Sequence, residues 1–234
     1  MSVWTRLGRL ASSGAGAVGS AVWSIHDALK SVTDGQARRQ LGFTIAMIAL
    51  SAKMAKADGV VTHPEVEAFR QIFEIPVGEE GNVSRVYNLA RSQVAGFESY
   101  ARDVADLFRD EPKMLEDVLD GLFHIAKADG VVHERELAYL ERVARIFGLD
   151  EAAFAPIRAR HAADPAADPW LVLGADPSWD AQRLKRRYRQ LVVDNHPDRL
   201  IARGVPEECV AIATERLAAI NAAWEAVARA RDVA

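Results

Sequence analysis

One seven-residue segment occurs twice in this chain without a change, as Ala55-Lys-Ala-Asp-Gly-Val-Val61 and again as Ala126-Lys-Ala-Asp-Gly-Val-Val132, 71 residues apart. Such a repeat means that one supersecondary unit is used twice, each copy covering the apolar face that the other cannot bury alone. The flanking sequence fixes the kind of unit. Ile45, Ile48, Ala52 and Ala55 share a three- and four-residue spacing, as do Val66, Phe69, Ile72 and Phe73. Leu115, Val118, Leu122 and Ile125 repeat it, followed by Leu137, Leu140, Val143 and Phe147. That is the period of a helix with one buried face. Val86, Leu89, Ala90, Val94, Phe97, Tyr100, Val104 and Phe108 add one or two further helices, with Gly96 as the break. The fold class is therefore all-α, with residues 37–160 forming a duplicated bundle of about seven or eight helical elements.

Within the repeat, Asp-Gly makes a turn in which Gly takes positive φ, and the two valines are expected to dock the connection into the core. His63-Pro64-Glu65 and Glu134-Arg135-Glu136 then open the next helices, with Asp58/Glu65 and Asp129/Glu136 tying loop to helix. The same carboxylates have a second reading. Asp-Gly followed by Glu six residues after the Gly imitates the second half of a calcium-binding EF-hand loop. The first ligand places hold Met54 and Lys56, or Ile125 and Lys127, which excludes that loop. A divalent metal shared by Asp58, Glu65, Asp129 and Glu136 is the alternative left open; otherwise no cofactor is expected.

The C-terminal third reads differently. Leu184, Tyr188, Leu191 and Val192 place one amphipathic helix over residues 180–195, capped by Asp180. Its other faces carry five cations: Arg183, Lys185, Arg186, Arg187 and Arg189. Pro197 ends the helix, so His196-Pro197-Asp198 is expected in a loop. A second helix over residues 207–231 presents Val210, Ala213, Leu217, Ile220, Trp224 and Val227 on one stripe. The two helices can pack antiparallel, with a short helix around Trp170, Leu171 and Leu173 covering them.

Trp170-x-x-Leu173-Gly174, Leu184-Lys-Arg-Arg-Tyr188-Arg-x-Leu191, His196-Pro-Asp198 and Ile220-Asn-x-Ala-Trp224-Glu225 together resemble a J-domain, the Hsp70-binding module of DnaJ-type co-chaperones. The continuation Asp198-Arg-Leu-Ile-Ala-Arg-Gly-Val-Pro206 resembles the DjlA-type subfamily, whose J-domain is C-terminal. The duplicated region is similar to the TerB-type helical domain that DjlA-type chains carry ahead of it. This resemblance implies that His196, Pro197 and Asp198, with Lys185, Arg186, Arg189 and Arg199, dock on an Hsp70 of the DnaK type and bias it toward ATP hydrolysis. It also implies the acidic metal-binding surface proposed for TerB-type domains, which would map to Asp58, Glu65, Asp129 and Glu136. Gln190 and Asp194 stand where the J-domain family is usually basic.

Composition narrows the alternatives. Residues 168–234 hold ten basic and ten acidic side chains, and the whole chain has a formal charge of -4, so no nucleic-acid partner is expected despite the basic helix. The single cysteine, Cys209, excludes a disulfide framework and a Cys-rich zinc module. No motif places a nucleophile beside His196, so the chain is not expected to be an enzyme. Residues 161–167 read as a Pro/Ala/Asp linker between a TerB-like domain at 37–160 and a J-domain at 168–234. Residues 1–36 read as a tail, because the uncharged stretch Leu10 to Ile25 is short and rich in Gly, Ser and Ala. A cytoplasmic location follows, or the cytoplasmic face of the inner membrane if the tail is a tether, as the resemblance implies. The expected function is that of a co-chaperone in protein folding and stress response, with unidentified clients and a homodimer allowed. The competing expectation is a TerB-like, metal-linked stress or interaction protein with a degenerate J-domain.

Overall fold

The computed structural model describes residues 32–58, 96–162 and 168–231, with isolated positions between 29 and 87. Among these every regular element is helical. The helices expected within 66–73 and 86–94, the first copy of the repeat turn and residues 1–28 of the expected tail lie outside the described residues, while the end of that tail, from Gly35, is already helical.

Helix α1 (Gly35–Asp58) is the axis of the bundle, contacted by α2 (Phe97–Leu107), α3 (Pro112–Ala126) and α4 (Glu134–Ile146). The sequence reads one apolar stripe on α1, but Leu41, Phe43, Ile45, Met47, Leu50 and Met54 are all fully buried. A helix apolar on every side belongs at the centre. Its Thr44 and Ser51 hydroxyls donate to the Gln40 and Met47 carbonyls at 2.9 and 2.7 Å, which satisfies them without a partner from outside the helix. Gly96, the expected break, is the N-cap of α2. Tyr139 on α4 packs its ring 4.4 Å from that of Phe97 and donates its hydroxyl to the Leu50 carbonyl at 2.8 Å. Burial, with the nearby Glu98 carboxylate adding to it, pushes the Tyr139 phenol well above its ordinary range.

The second copy of the repeat joins α3 to α4. Gly130 takes φ +104°, as the Asp-Gly turn requires. Asp129 Oδ1 accepts from the Val131 amide at 3.3 Å, its Oδ2 lies 2.8 Å from His133 Nε2, and Glu136 accepts from the His133 amide at 2.8 Å. Both acids therefore bind the loop through His133. Only one valine docks: Val132 packs on the core while Val131 is 53% exposed.

Helix α5 (Glu151–Arg160), capped by Asp150, returns the chain to α3, where His161 stacks on Phe123 at 5.3 Å. Then come α6 (Pro169–Leu173), α7 (Ala181–Asp194), α8 (Pro197–Arg203), a 3-10 turn (Glu207–Cys209) and α9 (Val210–Arg231). Val172, Leu173, Leu184, Leu191, Ile220, Ala223 and Val227 make a small core between α6, α7 and α9, with Tyr188 stacked on Trp224 at 4.7 Å.

Two local readings change. The connection expected to be a loop contains α8, because the proline that ends α7 also opens the next helix at its first position. Gly204 closes α8 at φ +114°, and a Cβ there would lie 2.5 Å from Arg39 Cβ on α1. The buried face of α9 is Ala213, Arg216, Ile220, Ala223 and Val227, while Leu217 and Trp224 are only partly buried. Packing also draws a line that covalent order does not. Leu200, Val205, Cys209, Ile212 and Ala213 belong to the large core of the bundle, so α8 and the start of α9 are seated on the helical domain.

Candidate functional site

The site is built where α7 stops and α8 starts. Asp180 caps α7 by accepting from the Arg183 amide at 2.7 Å. At the other end the Asn195 amide donates to the Leu191 carbonyl at 3.0 Å, and the Asn195 side-chain Nδ2 donates to the same oxygen at 2.7 Å. The next residue, His196, is the N-cap of α8, its Nδ1 accepting from the Asp198 amide at 3.2 Å. An accepting Nδ1 leaves the neutral ring with its proton on Nε2, as a donor. His196 and Asp198 present side chains that are 53% and 86% exposed. The tripeptide is thus a helix start with a selected tautomer, rather than the expected loop.

The cations of α7 divide by task. Arg187 is partly buried and donates Nε to the Leu173 carbonyl at 2.8 Å, which ties α6 to α7. Arg183 lies over the Trp179 ring at 3.9 Å. Arg186, Arg189 and Arg199 are exposed and Lys185 partly so. Lys185 and Arg189 are one helical turn apart, with the Arg189 Nε donating to the Lys185 carbonyl at 3.2 Å. Arg199 follows Asp198 in the first turn of α8. Gln190 and Asp194 bond to each other at 2.8 Å, so neither adds to the basic face.

Behind the motif lies a buried ionic cluster that the sequence reading missed. Asp117 and Asp120 on α3 are 2% and 1% exposed. Arg216 on α9 donates Nε to Asp120 at 2.9 Å and Nη1 to Asp117 at 2.7 Å and to Asn195 Oδ1 at 2.9 Å. Arg203, the last residue of α8, holds Asp117 through Nε at 3.1 Å and Nη2 at 3.2 Å, and donates Nη1 to the Asp194 carbonyl at 2.9 Å. Arg160 donates Nη2 to Asp120 at 2.9 Å; His161 Nε2 lies 3.2 Å from the same oxygen, off the line of a good hydrogen bond. Burial opposes ionisation of Asp120, but Arg216, Arg160 and His161 outweigh it and hold the carboxyl well below its ordinary range. Burial likewise opposes the Arg216 charge, and the two aspartates more than restore it. A cavity of about 20 Å³ beside Arg160, His161 and Arg216 has room for a single water.

The helical period places Asp117 and Asp120 on the side of α3 away from the stripe Leu115, Val118, Leu122 and Ile125, so the one local signal for the cluster is Arg216, four residues before Ile220. Of the carboxylates considered for a divalent metal, Asp129 and Glu136 serve the loop bonds given above, and Asp129 is held below its ordinary range chiefly by His133. Glu65 and the Asp58 side chain lie outside the described residues. Among the described residues no group of three or more His, Cys, Asp or Glu side chains is placed to hold a metal ion. No described helix is long and apolar enough to cross a membrane.

A helical bundle whose Asp-Gly segment is repeated in the sequence, bearing a hairpin that exposes His-Pro-Asp beside a basic helix, defines a two-part, TerB-like and DnaJ-like class. Comparison with known proteins agrees with this. Residues 44–159 match the family described as tellurite resistance protein TerB. The chain is 29% identical over 221 residues to "Co-chaperone protein DjlA" of Photobacterium profundum, covering 81% of this chain and 78% of that one. It is 22% identical over 218 residues to the Escherichia coli protein of the same name, with 82% and 80% covered. No solved structure matches. These findings are consistent with a DjlA-type, TerB-containing chain.

Proposed function

We propose that this protein is a J-domain co-chaperone that binds an Hsp70 of the DnaK type and stimulates its ATP hydrolysis. The single observation that carries the reading is the exposed His196-Pro197-Asp198 helix start next to an exposed basic face. Lys185, Arg186, Arg189 and Arg199 supply attraction to an acidic partner surface, which speeds encounter and weakens with salt. His196 offers an Nε2–H donor and Asp198 a carboxylate, a directional pair that can engage the partner once docked. The chain's own residues break no covalent bond in this scheme; they shift the partner between states of different reactivity.

Single-turnover ATP hydrolysis by a DnaK-type Hsp70, with the full chain and with its His196→Gln variant, tests the proposal. The parent is expected to raise the rate about tenfold or more, the equivalent of ~1.4 kcal/mol off the barrier. The variant, with unchanged helical content, is expected to lose this. Stimulation retained by the variant, or absent from the parent at any ratio, overturns the reading.

A further inference from the structure

We propose that Asp117 and Arg203, with Arg216, are positioning residues for the His-Pro-Asp turn, so that the TerB-like domain sets the geometry in which the J-domain presents its motif. The inference rests on the function proposed above and adds to it a role for the helical domain.

Both residues that precede His196 are held from the same place. Arg203 binds the Asp194 carbonyl and Arg216 binds the Asn195 side chain, and both guanidinium groups converge on the carboxylate of Asp117. That carboxylate belongs to α3, in the middle of the helical domain. Asn195 cannot turn to another partner without losing a bond, because its Nδ2 is committed to the Leu191 carbonyl. From below, Leu200 anchors α8 in the bundle core, and Gly204 brings the end of α8 against Arg39 of α1. The hairpin's own core contains no residue of α8. To the hairpin's own contacts on α8 the helical domain therefore adds a constraint on His196 and Asp198, through one carboxylate and two arginines. A bidentate guanidinium–carboxylate pair in a buried setting transmits orientation as well as attraction.

Hydrogen exchange on the full chain and its Asp117→Asn variant separates positioning from plain stabilisation. Amides of α8 and its cap, Leu200, Gly204 and Val205, are expected to exchange about tenfold faster in the variant, while those of α2 change by less than about twofold. In the ATPase assay the maximum stimulation is expected to fall with the half-saturating concentration unchanged, since the basic face is untouched. Exchange in α8 that does not change, or that rises equally in α2, overturns the proposal; so does a half-saturation shift with an unchanged maximum. Arg203→Lys is the second variant, at a site less buried than Asp117. It keeps the charge but loses the fork, and it is expected to give the same selective pattern. Selective exchange in α8 together with a parent that stimulates nothing would uphold the positioning role and overturn the co-chaperone reading alone.

Discussion

Two groups of arginines in the C-terminal third use the same guanidinium for opposite ends. On α7 and at the start of α8, Arg186, Arg189 and Arg199 stand in solvent, where long side chains in high dielectric contribute little to stability and act at a distance. At the end of α8 and on α9, Arg203 and Arg216 meet Asp117 and Asp120 in the interior, where orientation is fixed and separation from the partner carboxylate is costly. The difference teaches that charge in this region cannot be read from composition. A neutral balance of ten and ten conceals an exposed basic face and a buried ionic joint.

The largest expected break of that contrast is Asp120→Ala, which leaves Arg216, Arg160 and His161 facing a buried site without their shared carboxylate. A loss of about 3–5 kcal/mol in urea unfolding is expected. A loss under about 1 kcal/mol, the range of an exposed pair, would mean that the site opens to water. Acid should mimic the substitution in two stages. Burial holds His161 below its ordinary value despite the opposing pull of Asp120, so the unfolded chain takes up its proton first. Its contribution is full above about pH 6.5 and falls as pH drops below that value. Asp120 is also depressed in the folded state, so its contribution is present above about pH 4 and falls as pH drops further. Unfolding midpoints across this range check both stages; the stage near 6.5 should vanish in His161→Phe.

Next in size is Leu200→Ala. The side chain is 1% exposed and anchors α8 in the bundle core, so about 2–4 kcal/mol should be lost on equilibrium unfolding. If Leu200 belonged to the hairpin alone, the helical domain would melt unchanged, and a separate early transition would appear. The smallest effect on stability belongs to Arg186→Ala with Arg189→Ala. The unfolding free energy should move by less than about 0.5 kcal/mol, while the half-saturating concentration for ATPase stimulation rises and its salt dependence flattens.

Much of this was legible locally. The Asp180 cap, the extent of α7, the break at Gly96 and the positive-φ Gly130 all follow from signals within a turn of the residue concerned. The conversion of the expected loop into α8 was also written locally, in Pro197 and Gly204, but a proline that ends one helix conceals that it opens another. The buried arginines were beyond local reach. Arg216 meets Asp120 across 96 positions, and the helical period allows either Arg216 or Leu217 to face inward. Hydrophobicity favours Leu217 in that choice; only the two aspartates that α3 turns toward Arg216 reverse it. Likewise α1 reads as one stripe until its neighbours on every side are in place.

The division of labour between the two arginine groups is tested most directly by one pair of titrations. ATPase stimulation would be followed against protein concentration, at two salt concentrations, for the Arg186→Ala/Arg189→Ala chain and for the Arg203→Lys chain. The exposed pair should shift the half-saturating concentration and its salt dependence with the maximum preserved, and Arg203→Lys should lower the maximum with half-saturation preserved. Both chains moving the same parameter would contradict the account.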